Sequence, residues 1–208
     1  TATPQWTANN YTVLFDVNGG DALSEAEKTK EVTFGNPYGE LPIPTRTGYT
    51  FLGWFYNETG ENKVTNITNM TIVFDHTLYA QWTINNYTIT FMSGEEMLKY
   101  ETVEYNSSIV YPDDPSKRGY TFNGWEPNPE RMPANNFTST ALFTPNKYIL
   151  TFDVNGGDAL SEADKTKKVT FDNLYGELPT PNRTGHNFTE WLNNETNIVI
   201  TEDTVVNI

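Results

Sequence analysis

FDVNGGDALSEA runs from Phe15 to Ala26 and returns, letter for letter, from Phe152 to Ala163. Twelve identical residues at an offset of 137 mark a duplicated unit, and an internal period constrains the fold before local propensity does. Working outward, 28 of 34 positions agree between Phe15–Gly48 and Phe152–Gly185. A diverged copy lies between these two. It opens YTITFMSGEE at Tyr87, beside YTVLFDVNGG at Tyr11 and YILTFDVNGG at Tyr148. A second anchor recurs as GYTFLGW (Gly48–Trp54), GYTFNGW (Gly119–Trp125) and GHNFTEW (Gly185–Trp191).

Three repeats are therefore expected, at 9–84, 85–146 and 147–208. The opening PQWTANN (Pro4–Asn10) matches the AQWTINN that closes the first copy. Residues 1–8 thus read as the last strand of a preceding repeat, with Trp6 placed where Trp82 lies. The third copy reaches TVVNI without the DHTLYAQW of the first, so it reads as lacking its final strand.

Within one unit, YTVLFDV alternates and is rich in β-branched and aromatic residues, which predicts a strand. Asn18-Gly19-Gly20 breaks it with a turn. DALSEAEK predicts a helical turn too short to stand alone. KEVTFGN is a second strand with Val32 and Phe34 on one face. Tyr38–Leu41 predicts another helical turn, ended by Pro42 and Pro44. YTFLGWFY (Tyr49–Tyr56) is a third strand, with a bulge expected at Gly53. TIVFD and HTLYAQWT supply the last strands, with Leu78, Ala80 and Trp82 on one side.

A unit this small buries proportionally little surface. The chain has no cysteine to staple it, so large aromatics must carry the core at about 2–3 kcal/mol each. The expected core signature is Phe15, Phe34, Leu41, Phe51, Trp54 and Trp82, then Phe122 and Trp125, then Phe152, Phe171, Phe188 and Trp191.

Taken together, YTVxFDVNGG, YGELPxPTRTGYTFLGW and HTLYAQWT resemble the Listeria–Bacteroides repeat, the internalin B-repeat family. The first copy matches along its length and the third until TVVNI. The second keeps GYTFNGW but has MSGEE for DVNGG and TALFTPN for the last strand. The resemblance implies a β-grasp-like fold in extracellular or surface proteins, with units strung as tandem stalks and linked to adhesion. It brings no catalytic residues and no cofactor. The expected class is β-rich α+β: tandem small β-grasp-like repeat domains in an elongated array.

The charge and motifs narrow the function classes. A net charge of −14 repels phosphate backbones and anionic lipid heads, so nucleic acid is not an expected partner. No apolar run is long enough to span a bilayer, nothing at Thr1 reads as a signal peptide, and direct membrane insertion is not expected. Without cysteine there is no thiolate metal site or cysteine nucleophile. DVNGGD (Asp16–Asp21) offers oxygens that suit calcium, but its spacing fits neither the EF-hand nor the glycine-rich calcium repeat, and it reads as a plain turn. His76 and His186 hold unrelated repeat positions and no catalytic motif surrounds them. The chain reads as non-catalytic, with no cofactor and no metal. Acceptors of the form N-x-[ST] begin at Asn10, Asn57, Asn66, Asn69, Asn86, Asn106, Asn136, Asn182, Asn187 and Asn194. They carry sugar only in a glycosylating host.

Three functions fit these readings. The first is a stalk on the cell surface, its units held semi-rigidly by short links such as Thr83–Asn86. The second is a filament subunit, in which Gln5, Trp6 and Thr7 complete the third copy of the next chain by strand donation. The third is a carbohydrate-binding module using exposed aromatics. Expected partners are neighbouring repeats or identical chains end to end, and a surface protein or glycan that the sequence does not identify.

Overall fold

The computed structural model describes residues 1–207. Among the described residues thirteen strands are present: β1 (Asn10–Asp16), β2 (Thr29–Thr33), β3 (Tyr49–Phe55), β4 (Lys63–Val64), β5 (His76–Ile84), β6 (Asn86–Ser93), β7 (Glu96–Glu104), β8 (Tyr120–Glu126), β9 (Phe137–Pro145), β10 (Lys147–Thr151), β11 (Thr166–Thr170), β12 (Trp191–Leu192) and β13 (Val199–Ile200). No helix occurs among the described residues. The α+β expectation is therefore corrected: the described residues are all-β and hold no helix for a β-grasp sheet to pack on.

The reason lies in where the backbone donors go. Tyr38 and Gly39, expected in a helical turn, donate to the carbonyls of Thr68 and Asn66 at 2.9 Å each. Tyr175 and Gly176 repeat this, donating to Thr204 and Glu202. DALSEAEK is held as a loop from its start, where Asp21 N–H donates to Thr45 O at 2.7 Å. It closes only a single turn over Glu25–Glu27, with Glu27 N–H on Ser24 O. TIVFD forms no strand; β4 occupies the sheet edge instead.

The chain forms two compact units. One holds Thr1–Thr90, Tyr100–Val110 and Pro129–Phe137. The other holds Phe91–Lys99, Tyr111–Asn128 and the chain from Thr138 onward. In the first unit five strands form one sheet in the order β2-β1-β5-β3-β4. β1 pairs antiparallel with β2 and parallel with β5. β3 pairs antiparallel with β5, with a register shift between Phe51 and Gly53. Gly53 has φ +136°, a conformation that favours glycine, so the bulge sits at the expected residue. It turns Trp54 into the core, opposite Ala80.

That core contains Val13, Phe15, Val32, Tyr38, Trp54, Val64, Met70, Leu78 and Ala80, with Leu41, Phe51 and Trp82 packed against it half-buried. Phe34 is not part of it. The strand ends at Thr33 and the chain turns through Gly35 (φ +84°), leaving the Phe34 ring 41% exposed.

The DVNGG signature has a packing reason. Asn18 Nδ2 donates to Ala80 O at 3.0 Å, and Trp82 Nε1 donates to Val17 O at 3.0 Å. A Cβ on Gly20 would lie 2.5 Å from Trp82 Cζ2. The loop is the seat of β5. In the second copy MSGEE turns between β6 and β7 through Gly94 (φ +60°) and Glu95, which explains why that copy is shorter. Its strands are ordered β7-β6-β9-β8.

In the third copy β10–β11 and β12–β13 stay separate two-stranded sheets. Trp191 is half-buried, with Phe152 at 4.9 Å and Phe188 at 5.4 Å between ring centroids. Phe188 is exposed rather than in the core. The buried cluster here is Val169, Tyr175, Ile200 and Val206.

Two predictions follow from buried polar groups. Trp54 and Trp191 donate Nε1 to the carbonyls of Pro42 and Pro179, each twelve residues back, at 2.7 and 2.8 Å. Twelve residues before Trp125 stands Asp113, and Trp125 Nε1 is buried with no partner. An unmade hydrogen bond costs about 1–3 kcal/mol. Trp125→Phe is therefore expected to cost about 1–2 kcal/mol less than Trp54→Phe in urea unfolding.

Tyr38 is buried, and its hydroxyl lies 3.2 Å from Tyr56 OH and 2.7 Å from His76 Nε2. Burial, then the hydrogen bond to Tyr56 and that group's charge, raises its pKa. The fold favours the neutral phenol. This stability is whole below the unfolded tyrosine pKa of about 10 and is lost as pH rises beyond it. The melting temperature should hold from pH 7 to 9 and fall above about 10. It should fall less steeply in Tyr38→Phe; an equal alkaline fall in both proteins would remove Tyr38 from the account.

Candidate functional site: the joint between repeats

No nucleophile–base pair or ligand cluster gathers around the histidines. His76 Nε2 meets Tyr38 OH, and His186 Nδ1 faces its neighbour's carbonyl, Thr184 O. Among the described residues no three His, Asp or Glu side chains are placed to hold a metal. The feature built twice from the same parts is the joint where one repeat leads into the next.

Each joint starts at a corner. In the first unit Tyr49 N–H donates to Arg46 O at 3.0 Å, closing a turn through Gly48 (φ +77°). The Arg46 guanidinium stacks 3.9 Å from the Tyr49 ring centre. In the second unit Tyr120 N–H donates to Lys117 O at 3.0 Å, with Gly119 at φ +76° and Lys117 Nζ 3.8 Å above the Tyr120 ring.

An aromatic ring from the next repeat lies on each corner glycine. A Cβ on Gly48 would come 2.1 Å from Tyr105 Cδ1; one on Gly119 would come 2.3 Å from Phe171 Cγ. The rings also meet the corner tyrosines edge-on, Tyr49–Tyr105 at 6.1 Å and Tyr120–Phe171 at 5.6 Å. Tyr120 OH donates to Asp172 Oδ2 at 2.6 Å, and this bond, followed by burial, raises the phenol's pKa.

One asparagine ties corner to ring. Asn85 N–H donates to Gly48 O at 2.9 Å, and Asn85 O accepts from Tyr105 N–H at 2.8 Å. Asn146 does the same between Gly119 O (2.8 Å) and Phe171 N–H (2.9 Å). The side chains repeat too: Thr50 and Thr121 hydroxyls donate to the Oδ1 of Asn85 and Asn146, at 2.6 Å each. Phe171, expected in a repeat core, is buried at 6% exposure, with its ring against Gly119 and Tyr120 in this joint. Tyr105, Asn85 and Asn146 were not singled out. The repeated Gly-Tyr after a basic residue was the available signal.

The remaining candidate residues are placed as follows. Gln5, Trp6 and Thr7 belong to no strand, and Trp6 is 89% exposed rather than packed like Trp82. Asn10, Asn66, Asn69, Asn86, Asn106, Asn136, Asn182, Asn187 and Asn194 are exposed. Asn57 is half-buried, its Oδ1 accepting from Glu61 N–H and Thr59 OH. Phe122 is half-buried beside Trp125 and Phe143. No helix among the described residues is long and apolar enough to cross a membrane.

The Listeria-Bacteroides repeat domain profile matches residues 11–81, 87–147 and 148–207. The chain belongs to the Listeria-Bacteroides repeat family. These repeats recur in a protein of Evansella cellulosilytica named as a Gly-rich membrane protein, 32% identical over 197 residues, covering 90% of this chain and 22% of that protein. A second protein of that organism, named as a membrane protein, is 31% identical over 90% of this chain and 29% of its own length. Internalin H of Listeria monocytogenes is 40% identical over 149 residues, 65% of this chain and 25% of the internalin. This chain therefore spans a quarter or so of the relatives it matches. Among solved structures, domains 3–4 of the Streptococcal High Identity Repeats in Tandem from a cell surface protein align at TM-score 0.22 and 16% identity. That alignment covers 66% of this chain and 99% of the other. The chain is thus a tandem Listeria-Bacteroides repeat region, similar to segments of two proteins named as membrane proteins and of an internalin.

Proposed function

We propose that these repeats form a non-catalytic extracellular stalk that carries another part of its protein away from the cell surface. The observation that supports this most is the joint. At two repeat boundaries a single asparagine bonds through its backbone to both sides, and a ring from the next repeat sits on the corner glycine. A connection tied at three points has little of the freedom of a flexible linker, which suits a spacer. The names of the relatives, membrane proteins and an internalin, support a surface location.

The test is to display the array on a bacterial surface with an epitope at its far end, in versions with added or removed repeats. A stalk should move the epitope outward by the same increment for each repeat, measured by fluorescence distance from the membrane. An epitope height independent of repeat number would sink the reading. Light-scattering mass across a concentration series, with and without residues 1–9, addresses the filament. Growth that truncation abolishes would favour strand donation over a covalent stalk.

A further inference from the structure

β7 (Glu96–Glu104) stands at the end of the sheet β7-β6-β9-β8, so one of its sides pairs with β6 and the other is a sheet edge. Tyr105 N–H, just past the strand, donates to Asn85 O, just ahead of β6. Backbone groups alternate in direction along a strand, so the odd-numbered residues of β7 turn their N–H and C=O toward β6. Leu98, Tyr100 and Thr102 turn theirs to the edge. The side chains of these three are exposed, Leu98 at 36% and Tyr100 at 60%, while Lys99, Glu101 and Val103 are half-buried. Met97 adds another apolar side chain at 60% exposure. Sheet edges are normally kept short or guarded by lysine. β2, an edge of the first sheet, is five residues long, and its Lys30 reaches the Glu40 carbonyl. β7 is nine residues long and presents an apolar edge.

We propose that β7 pairs antiparallel with β7 of a second copy of this chain, about a two-fold axis at Tyr100. Charge complementarity carries the choice of occupant and of register. With Tyr100 opposite Tyr100, Leu98 meets Thr102, and Lys99 meets Glu101 on both sides of the axis. Slipping the register by two residues puts Glu101 opposite Glu101 or Lys99 opposite Lys99, and like charges directly opposite are unfavourable. The Glu96–Glu104 pairs are like-charged but lie at the strand ends. The ladder uses the edge-facing backbone groups of Leu98, Tyr100 and Thr102, so pairing with β6 is left intact. An isologous contact of this kind closes at two chains. The inference goes beyond the stalk reading, since it joins chains side by side whatever they carry.

The test combines light-scattering mass with cysteine cross-linking. Between about 10 μM and 1 mM the mass should rise toward that of two chains and stop there, with residues 1–9 present or removed. Lys99→Glu should lower the dimer fraction, and adding Glu101→Lys to it should restore the dimer. Unchanged amide exchange at Tyr105 shows that the β6–β7 pairing survives each substitution. The chain has no cysteine of its own, so the register is read directly. Tyr100→Cys places two Cα atoms about 5.5 Å apart, within disulfide reach. Leu98→Cys alone leaves its two copies roughly 14 Å apart. With diamide as oxidant, the first should cross-link at least about tenfold faster than the second. A constant monomer mass, growth beyond two chains, a dimer indifferent to Lys99→Glu, or equal cross-linking at the two positions would overturn the proposal.

Discussion

Trp54→Ala is expected to abolish the cooperative unfolding of the first repeat, or to leave it with a small fraction of its stability. Trp54 is 1% exposed. Its ring lies 4.8 Å from Phe15 and 5.6 Å from Phe51, and its backbone pairs with Val64 on one side and Ala80 on the other. Truncating a buried tryptophan costs about 3–5 kcal/mol through lost transfer energy and a residual cavity. The Pro42 carbonyl, which accepts from Trp54 Nε1, loses its partner and adds about 1 kcal/mol. Small domains have about 5–15 kcal/mol in total, and one with no disulfide belongs near the lower end. Urea unfolding followed by the fluorescence of Trp82 reads the result. A loss under about 1.5 kcal/mol would mean that the site collapses around the cavity and that this tryptophan does not organise the core.

Gly48→Ala is expected to cost about 2–5 kcal/mol, the second largest effect. Two terms combine. At φ +77° a side chain in the left-handed region costs about 1–2 kcal/mol. The new Cβ would also meet the Tyr105 ring at 2.1 Å, so the ring must leave the joint, an overpacking cost of about 1–3 kcal/mol. Gly185 separates the terms. It has φ +74° with nothing within 4 Å of its Cβ position, so Gly185→Ala should cost only the backbone term. In the Gly48→Ala, Tyr105→Ala cycle the double variant should recover the steric part. Equal costs at Gly48 and Gly185 would mean that the ring on the glycine contributes nothing.

The same comparison shows what was legible in the residues. The repeats, the strands around YTVLFDV and YTFLGW, and the bulge at Gly53 were readable because each depends on local pattern and glycine chemistry. The helical turn expected over Tyr38–Leu41 does not form because Tyr38 and Gly39 find acceptors about thirty residues away, at Thr68 and Asn66. Local propensity cannot see such partners. Phe34 and Phe171 read alike, being one aromatic in one motif. The structure exposes the first and buries the second on Gly119, because burial belongs to the neighbour and not to the residue.

By itself the sequence determined the duplication, the β-rich composition, the absence of disulfides and the corner motif, since these are properties of residue identity and spacing along one chain. Only the tertiary structure decided that the first sheet is mixed, with β5 inserted parallel to β1, that no helix forms among the described residues, and that an asparagine and an aromatic ring lock one repeat to the next. Those outcomes depend on hydrogen-bond partners and packing surfaces far apart in sequence, and their pairing is settled only when the chain closes on itself.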